Sequence, residues 1–165
     1  MADITLAADI AKYLGAYTPT IGTVGTDIFR GPVRPFTKTG ATTLIPRNCV
    51  FVIANTGGEA PLPMAGTAYQ QVRTVSVQVI IRNTSSHDAT AVKIYNALTA
   101  MATSDLDQPG YIGFQVQNSS PIYIPGIDGN LDNYWTINVD AIYDQRNVTK
   151  ISRYGTGVYG TAVYG

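Results

Sequence analysis

The chain has 165 residues, enough for one domain with a single hydrophobic core. Only 13% of its residues are charged, and eleven basic residues balance eleven acidic ones. A chain without a basic surplus lacks the positive charge that is typical of a protein that binds nucleic acid or an anionic membrane. A surface with so little charge is more often covered by other protein than left to water.

Cys49 is the only cysteine, which excludes an internal disulfide and a thiol-rich metal site. It lies in the apolar run of residues 49–53, where we predict a buried and unreactive thiol. The first residues carry no basic signal region, and no apolar run approaches the ~20 residues that cross a bilayer. We therefore expect a soluble protein, made in a cytoplasm, with no membrane partner.

A short amphipathic helix is predicted first, over residues 3–14, with Asp3 as its cap and Gly15 as its end. Residues 26–31 follow as a short strand, because two prolines interrupt the chain directly after them. The apolar residues of the helix recur on one side, at Leu6, Ile10, Tyr13 and Leu14.

Residues 32–47 show neither a helical nor a strand period, which predicts a long loop that is functional or mobile. The continuous apolar run at residues 49–53 is consistent with a strand covered on both faces. A glycine- and proline-rich segment, residues 57–66, then leads to the next strand.

Residues 73–82 alternate between apolar and polar, the period of a half-buried strand. Ser85 or Ser86 is expected to cap the helix that follows, and its apolar stripe can lie on the apolar face of the strand. This strand and helix should form the nucleus of the core. The residues assigned to it are Val75, Val77, Val79 and Ile81 in the strand, and Ala91, Ile94, Tyr95, Leu98, Met101 and Ala102 in the helix.

Two later strands are predicted, at residues 111–117 and 134–143, and Ile122-Tyr123-Ile124 leads to a turn between them. In the first, Ile112, Phe114 and Val116 should face the core. In the last, the core side chains should be Trp135, Ile137, Val139, Ala141 and Tyr143. Two helices and about five strands predict an α+β domain over residues 1–146, with both helices on one face of a mostly antiparallel sheet.

Residues 147–165 form a C-terminal arm in which a Tyr-Gly pair recurs every five residues. This spacing fits neither a helix nor a flat strand, and glycine at this density costs backbone entropy. We expect the arm to bind a neighbouring subunit or a partner protein through Tyr154, Tyr159 and Tyr164. The alternative is that it folds back on its own domain.

No catalytic or metal-binding pattern stands out. His87 is the only histidine, and it lies in a turn that is expected to be solvated. Residues 128–132 mimic the first half of a calcium loop, but Asn133 replaces the required glycine, so we predict a turn. There is no nucleophile elbow and no phosphate-binding loop. We expect no enzymatic activity, no cofactor and no metal.

An ordered set of segments carries a family resemblance that covers residues 3–146. The segments are residues 27–35, the apolar strand running into Asn55-Thr56-Gly57-Gly58, the step Ala60-Pro61-Leu62-Pro63, the strand 77–82, the helix 91–98 and the late strand ending at Tyr143. Together they resemble the tail terminator or tail-completion proteins of long-tailed bacteriophages, often labelled minor capsid proteins. Two features depart from that family: Asn83 follows Arg82 where a glycine-bearing turn is usual, and residues 37–46 and the arm look like additions.

The resemblance implies a structural virion protein that is assembled in the host bacterial cytoplasm. Such proteins form a ring of six copies at the head-proximal end of the tail, stop growth of the tail tube and join the tail to the neck. The implied partners are further copies of the chain, the tail tube protein and the neck or connector proteins. DNA would pass through the ring without specific binding.

The residues expected to touch neighbouring copies, the tube or the neck lie in the loop 32–47 and the segment 57–66, although either could instead be a solvent loop. Asp140 and Asp144 are candidates for the channel lining, with ordinary solvent-facing positions as the alternative. The contact candidates are Arg34, Phe36, Lys38, Gly57, Gly58, Leu62 and Met64, together with the three tyrosines of the arm.

Other functions stay open at this point. Within the structural class, the chain could be a stopper, an adaptor that binds the portal, or a tail tube subunit. A terminator should close into a ring, whereas a tube protein should stack into a polymer. A small host-directed binding module should be a stable monomer, and an unrecognised enzyme is the remaining alternative.

Overall fold

The computed structural model describes residues 6–31, 46–54, 72–85, 87–125 and 132–144. They form two α-helices on one face of a six-stranded sheet, which confirms the predicted α+β class. The elements are α1 (Leu6–Ala16), β1 (Ile28–Arg30), β2 (Cys49–Ala54), β3 (Val72–Asn83), α2 (Ala89–Ala100), a 3-10 turn (Thr103–Asp105), β4 (Tyr111–Val116), β5 (Ile122–Ile124) and β6 (Asn133–Asp144).

The strand order is β1-β2-β3-β6-β4, and β5 pairs with the part of β6 that β4 leaves open. Strands β3 and β6 pair in antiparallel register along their whole length, from Val72 opposite Asp144 to Asn83 opposite Asn133. Only β1 and β2 run parallel among the described strands. The sheet is therefore mixed but mostly antiparallel, with β3 and β6 as its centre.

The face of the sheet under the helices, here called the first face, carries the hydrophobic core. Alternation along β3 and β6 places Val77, Val79 and Ile81 beside Ile137 and Val139, and all five are fully buried. The stripes of the helices close over them, as the periodicity predicts. The fully buried helix residues are Ile10, Ala11, Leu14, Ile94, Ala97 and Leu98.

The start of helix α2 and the end of helix α1 differ from the sequence prediction. Helix α2 begins after Asp88 without a side-chain cap, because the Ser85 Oγ accepts a hydrogen bond from the His87 N–H (3.2 Å) and so stabilises the turn instead. Helix α1 continues through Gly15 to Ala16 rather than stopping there. Glycine is needed at position 15 because a Cβ atom would lie 2.9 Å from Cγ2 of Val24.

Strand β4 also departs from the predicted alternation. The register against β6 shifts between Tyr111 and Gly113, which marks a β-bulge at Ile112. Ile112 was expected in the core, but it is 50% exposed. Tyr111 is buried in its place and packs edge-on against Tyr143, with 5.4 Å between the ring centroids.

Candidate functional site: the sheet edges and the second face

The edge formed by β1 is capped by the chain that precedes it. The Ile28 N–H donates to the Thr23 carbonyl (3.1 Å), and the Gly25 N–H donates to the Ile28 carbonyl (2.9 Å). Gly25 can turn the chain back because its φ of 88° lies in the left-handed region that glycine tolerates. The outward backbone groups of Ile28 are therefore already bonded, which blocks pairing with another strand at this residue.

The opposite edge, formed by β4 and β5, carries no such cap among the described residues. The Gln117 N–H donates inward to the Asn138 carbonyl (2.8 Å). Because inward and outward backbone groups alternate along an antiparallel strand, those of Phe114 and Val116 point away from β6. We call this side of the sheet the open edge, and no described strand pairs with it.

Large apolar side chains are exposed along the open edge. Ile112 is 50% exposed, Ile122 46% and Tyr123 51%. Ile142, one strand further in, is 42% exposed because Gly113 opposite it has no side chain to cover it. An unpaired strand edge that exposes apolar side chains along its length is typical of a protein interaction surface.

Asn118 holds β4 and β5 in line beside β6. Its side-chain Oδ1 accepts a hydrogen bond from the Asn138 N–H (2.6 Å), so an amide oxygen replaces the backbone where the two strands are interrupted. Its carbonyl accepts from the Tyr95 hydroxyl (2.9 Å), which fixes the same residue to helix α2. The open edge is therefore a supported surface that extends from β4 into β5.

The second face of the sheet, away from the helices, is polar at its centre. The cross-strand rows pair Ser76 with Asp140 and Gln78 with Asn138. The half-buried carboxylate of Asp140 accepts hydrogen bonds from Ser76 Oγ (2.6 Å) and Gln117 Nε2 (2.7 Å). This places one of the two predicted lining residues on an open, weakly acidic surface.

A buried ion cluster closes the end of the second face where β6 begins. The Asp132 carboxylate is fully buried, and Arg82 Nη2 lies 2.8 Å from its Oδ2. The half-exposed Arg47 contacts the same carboxylate through Nε (3.1 and 3.2 Å) and Nη2. Two guanidinium groups thus compensate one buried carboxylate, which ties the residues before β2 to those before β6.

The Asp9 carboxyl group in helix α1 is buried with less compensation than that of Asp132. It is almost fully buried, and the hydrogen bond it accepts from the Gln108 N–H is long, at 3.3 Å. Burial is the largest influence and raises the pKa of the Asp9 carboxyl, and the hydrogen bond offsets only part of that effect. The nearby Lys12–Asp107 ion pair, 2.5 Å long, is exposed and adds little stability.

Side chains that could bind metal ions are not grouped in the described part of the chain. No group of three or more His, Cys, Asp or Glu side chains among them is placed to hold a metal ion. Cys49 is buried as predicted, and burial raises the pKa of its thiol to about 11. In the described part of the chain, no helix is long and apolar enough to cross a membrane.

All ten predicted contact residues lie outside the described part of the chain. These are Arg34, Phe36, Lys38, Gly57, Gly58, Leu62, Met64, Tyr154, Tyr159 and Tyr164. Of the two predicted lining residues, Asp140 lies on the second face. Asp144 is 6% exposed, so its side chain is not open to a channel in the single chain.

Sequence reasoning missed the open edge and the ion cluster. The signal for the first was available, because Gly113 interrupts an alternating pattern and a glycine inside a strand often marks a bulge. Asp132 offered no comparable signal, since it follows residues that match a turn. Its two arginine partners are 50 and 85 residues away in the sequence.

Comparison of the chain with models of known protein families and with curated protein sequences finds no match.

Proposed function

We propose that the chain is a structural virion protein that forms a ring at the head-proximal end of a phage tail. The ring ends growth of the tail tube, joins the tail to the neck and leaves a channel for DNA. The ordered segments that resemble tail terminator proteins support this assignment. The observation that carries it is the asymmetry of the sheet, with one capped edge and one open edge bordered by exposed apolar side chains.

This asymmetry favours a ring over a two-fold dimer. A ring needs a heterologous contact, in which one surface of a subunit meets a different surface of the next. Pairing of β4 with a second β4 would give a two-fold dimer instead. The bulge at Ile112 would limit such a symmetric ladder to the few β4 residues that follow it.

The second face suits a channel that DNA crosses without being held. Its centre carries amide side chains and the Asp140 carboxylate, so it offers no cationic row that would bind phosphates by releasing counterions. We assign Asp140 to the channel lining on this basis.

The experiment is a measurement of assembly with a matched pair of variants. Light scattering on the purified chain should give about six times the monomer mass, and electron microscopy should show closed rings. Ile112→Lys should abolish assembly, whereas Val92→Lys, at an exposed apolar position on α2, should leave it intact.

Other outcomes point to other functions. Open polymers would indicate a tail tube subunit, and a monomer at high concentration would indicate a binding module. Rings that are located elsewhere in the neck of the assembled particle would indicate a stopper or an adaptor. Each of these results overturns the proposal.

A further inference from the structure

We propose that the open edge of β4 binds the C-terminal arm, residues 147–165, of a neighbouring copy as an added strand. This inference rests on the proposed function and deepens it, because it assigns the contact between copies that a ring requires. In this mode of recognition, backbone hydrogen bonds supply affinity and neighbouring side chains supply specificity.

The backbone of β4 is ready for such pairing. Residues 114–116 follow the bulge in regular register with β6, so the outward N–H and C=O groups of Phe114 and Val116 form a regular edge. Phe114 and Val116 also pack against the core with their side chains. The added strand would therefore meet a rigid surface rather than a loose one.

The position of the chain after β6 makes the arm a suitable occupant. The Asp144 N–H donates to the Gly110 carbonyl (2.8 Å), directly before β4 begins. The described part of the chain therefore ends beside the start of the open edge, and residues 145–165 follow in the sequence. Twenty-one extended residues can reach up to about 70 Å, several times the ~20 Å of a six-residue strand.

The composition of the arm complements the open edge. Ile112, Ile122 and Tyr123 expose apolar surface that tyrosine rings can cover at low cost in conformational entropy. The glycines beside Tyr154, Tyr159 and Tyr164 carry no side chain that would keep the two backbones apart.

A neighbouring copy is the better source of the arm than the same chain. The described chain ends on β6, which lies on the inner side of β4, whereas the open edge is the outer side of β4. A chain's own arm would therefore have to pass around β4. Exchange between copies avoids that. It also joins two different surfaces, as a closed ring demands.

The experiment is disulfide cross-linking between two full-length variants. One carries Gln115→Cys on β4, and the other carries Thr156→Cys in the arm. The native thiol of Cys49 is buried, and its pKa of about 11 keeps it protonated, so it does not compete. Mixed and mildly oxidised, the two variants should form a covalent heterodimer.

The matched control replaces Gln115→Cys by Thr26→Cys, an exposed position beside the capped edge. Local pairing of the arm with β4 raises the effective concentration of the two thiols, so the β4 variant should form at least about tenfold more heterodimer. Equal yields from the two positions would overturn the inference. So would cross-linking confined to single chains that carry Gln115→Cys and Thr156→Cys together.

A second variant tests the backbone directly. Val116→Pro removes an outward N–H without removing a bond to β6, so it should abolish the cross-link while circular dichroism shows the sheet retained. Retention of the cross-link would contradict strand addition.

The two proposals can fail separately. Rings without the β4–arm cross-link refute this inference and leave the proposed function standing. The cross-link without closed rings supports arm exchange and refutes the tail terminator assignment.

Discussion

The two faces of the sheet are buried by different means. On the first face, side chains from β3 and β6 pack against two amphipathic helices, and the contacts are almost entirely apolar. On the second face, buried or half-buried positions include charged and amide groups, and the Asp140 and Asp132 carboxylates are held by specific partners. The first face stabilises the fold through contact area, whereas the second depends on pairing and keeps a polar surface available.

This difference bears on function, because the second face presents polar groups that another molecule can contact without unfolding the domain. In the described part of the chain the helices cover most of the first face, and Tyr123 beside Trp135 stays 51% exposed at the open edge. We therefore expect interaction surfaces on the second face and along the open edge.

The largest effect is expected from Trp135→Ala on the first face. Trp135 is 4% exposed, and removing its ring should lower the free energy of unfolding by about 3–5 kcal/mol. Urea denaturation measures the change. Tyr123→Ala is the control, because the exposed Tyr123 packs at a tilt against the same ring and its removal should cost much less. A loss of unfolding free energy under about 1 kcal/mol would show that buried contact area is not what stabilises the first face.

The next largest effect is expected from Asp132→Asn on the second face. The change leaves the buried Arg82 guanidinium without this carboxylate, and it should cost about 3 kcal/mol, less than a fully buried pair because Arg47 is open to water. The same denaturation assay reports it. The double variant Arg82→Met/Asp132→Leu should recover most of the loss, since it removes both charges. If the double variant recovers none of the lost stability, the effect of Asp132→Asn does not come from leaving a buried charge unpaired.

A smaller effect is expected from Ser76→Ala. Removing the hydroxyl that donates to Asp140 should cost about 1 kcal/mol, because Gln117 still donates to the same carboxylate. Thermal unfolding detects the difference. The exposed Ser119→Ala should be neutral by comparison, and a similar loss in both variants would remove the special role of the Asp140 pairing.

The smallest effect, with the opposite sign, is expected from Asp9→Asn. Since burial raises the pKa of Asp9, the folded state binds a proton more readily than the unfolded chain, whose usual value is 3.8. The contribution of this group to stability is therefore full at pH values below 3.8 and is lost as the pH rises through the raised folded pKa.

Asparagine cannot ionise, so the variant should melt at a higher temperature than the parent at about pH 7, and the difference should shrink towards about pH 3. The measurement is the melting temperature across that pH range. A difference that does not change with pH would show that the ionisation of Asp9 is not responsible.

The sequence by itself determined the fold class, because binary patterning specifies which side of each element is buried. The alternation of Val75, Val77, Val79 and Ile81 predicted the core face of β3 correctly, and Trp135 to Tyr143 did the same for β6. Helix α2 was likewise located by its apolar stripe, except that Ala102 lies beyond the end of the helix and is exposed. Each of these signals is local and therefore readable along the chain.

Only the tertiary structure decided the features that depend on residues far apart in sequence. The bulge exposes Ile112 because Tyr111 pairs with Tyr143, and Gly15 lies within a helix because Val24 approaches it. Asp132 is buried only because Arg47 and Arg82 reach it from two other segments. Capping of one sheet edge and not of the other depends equally on hydrogen bonds that no local pattern encodes, since their geometry exists only once the strands have paired.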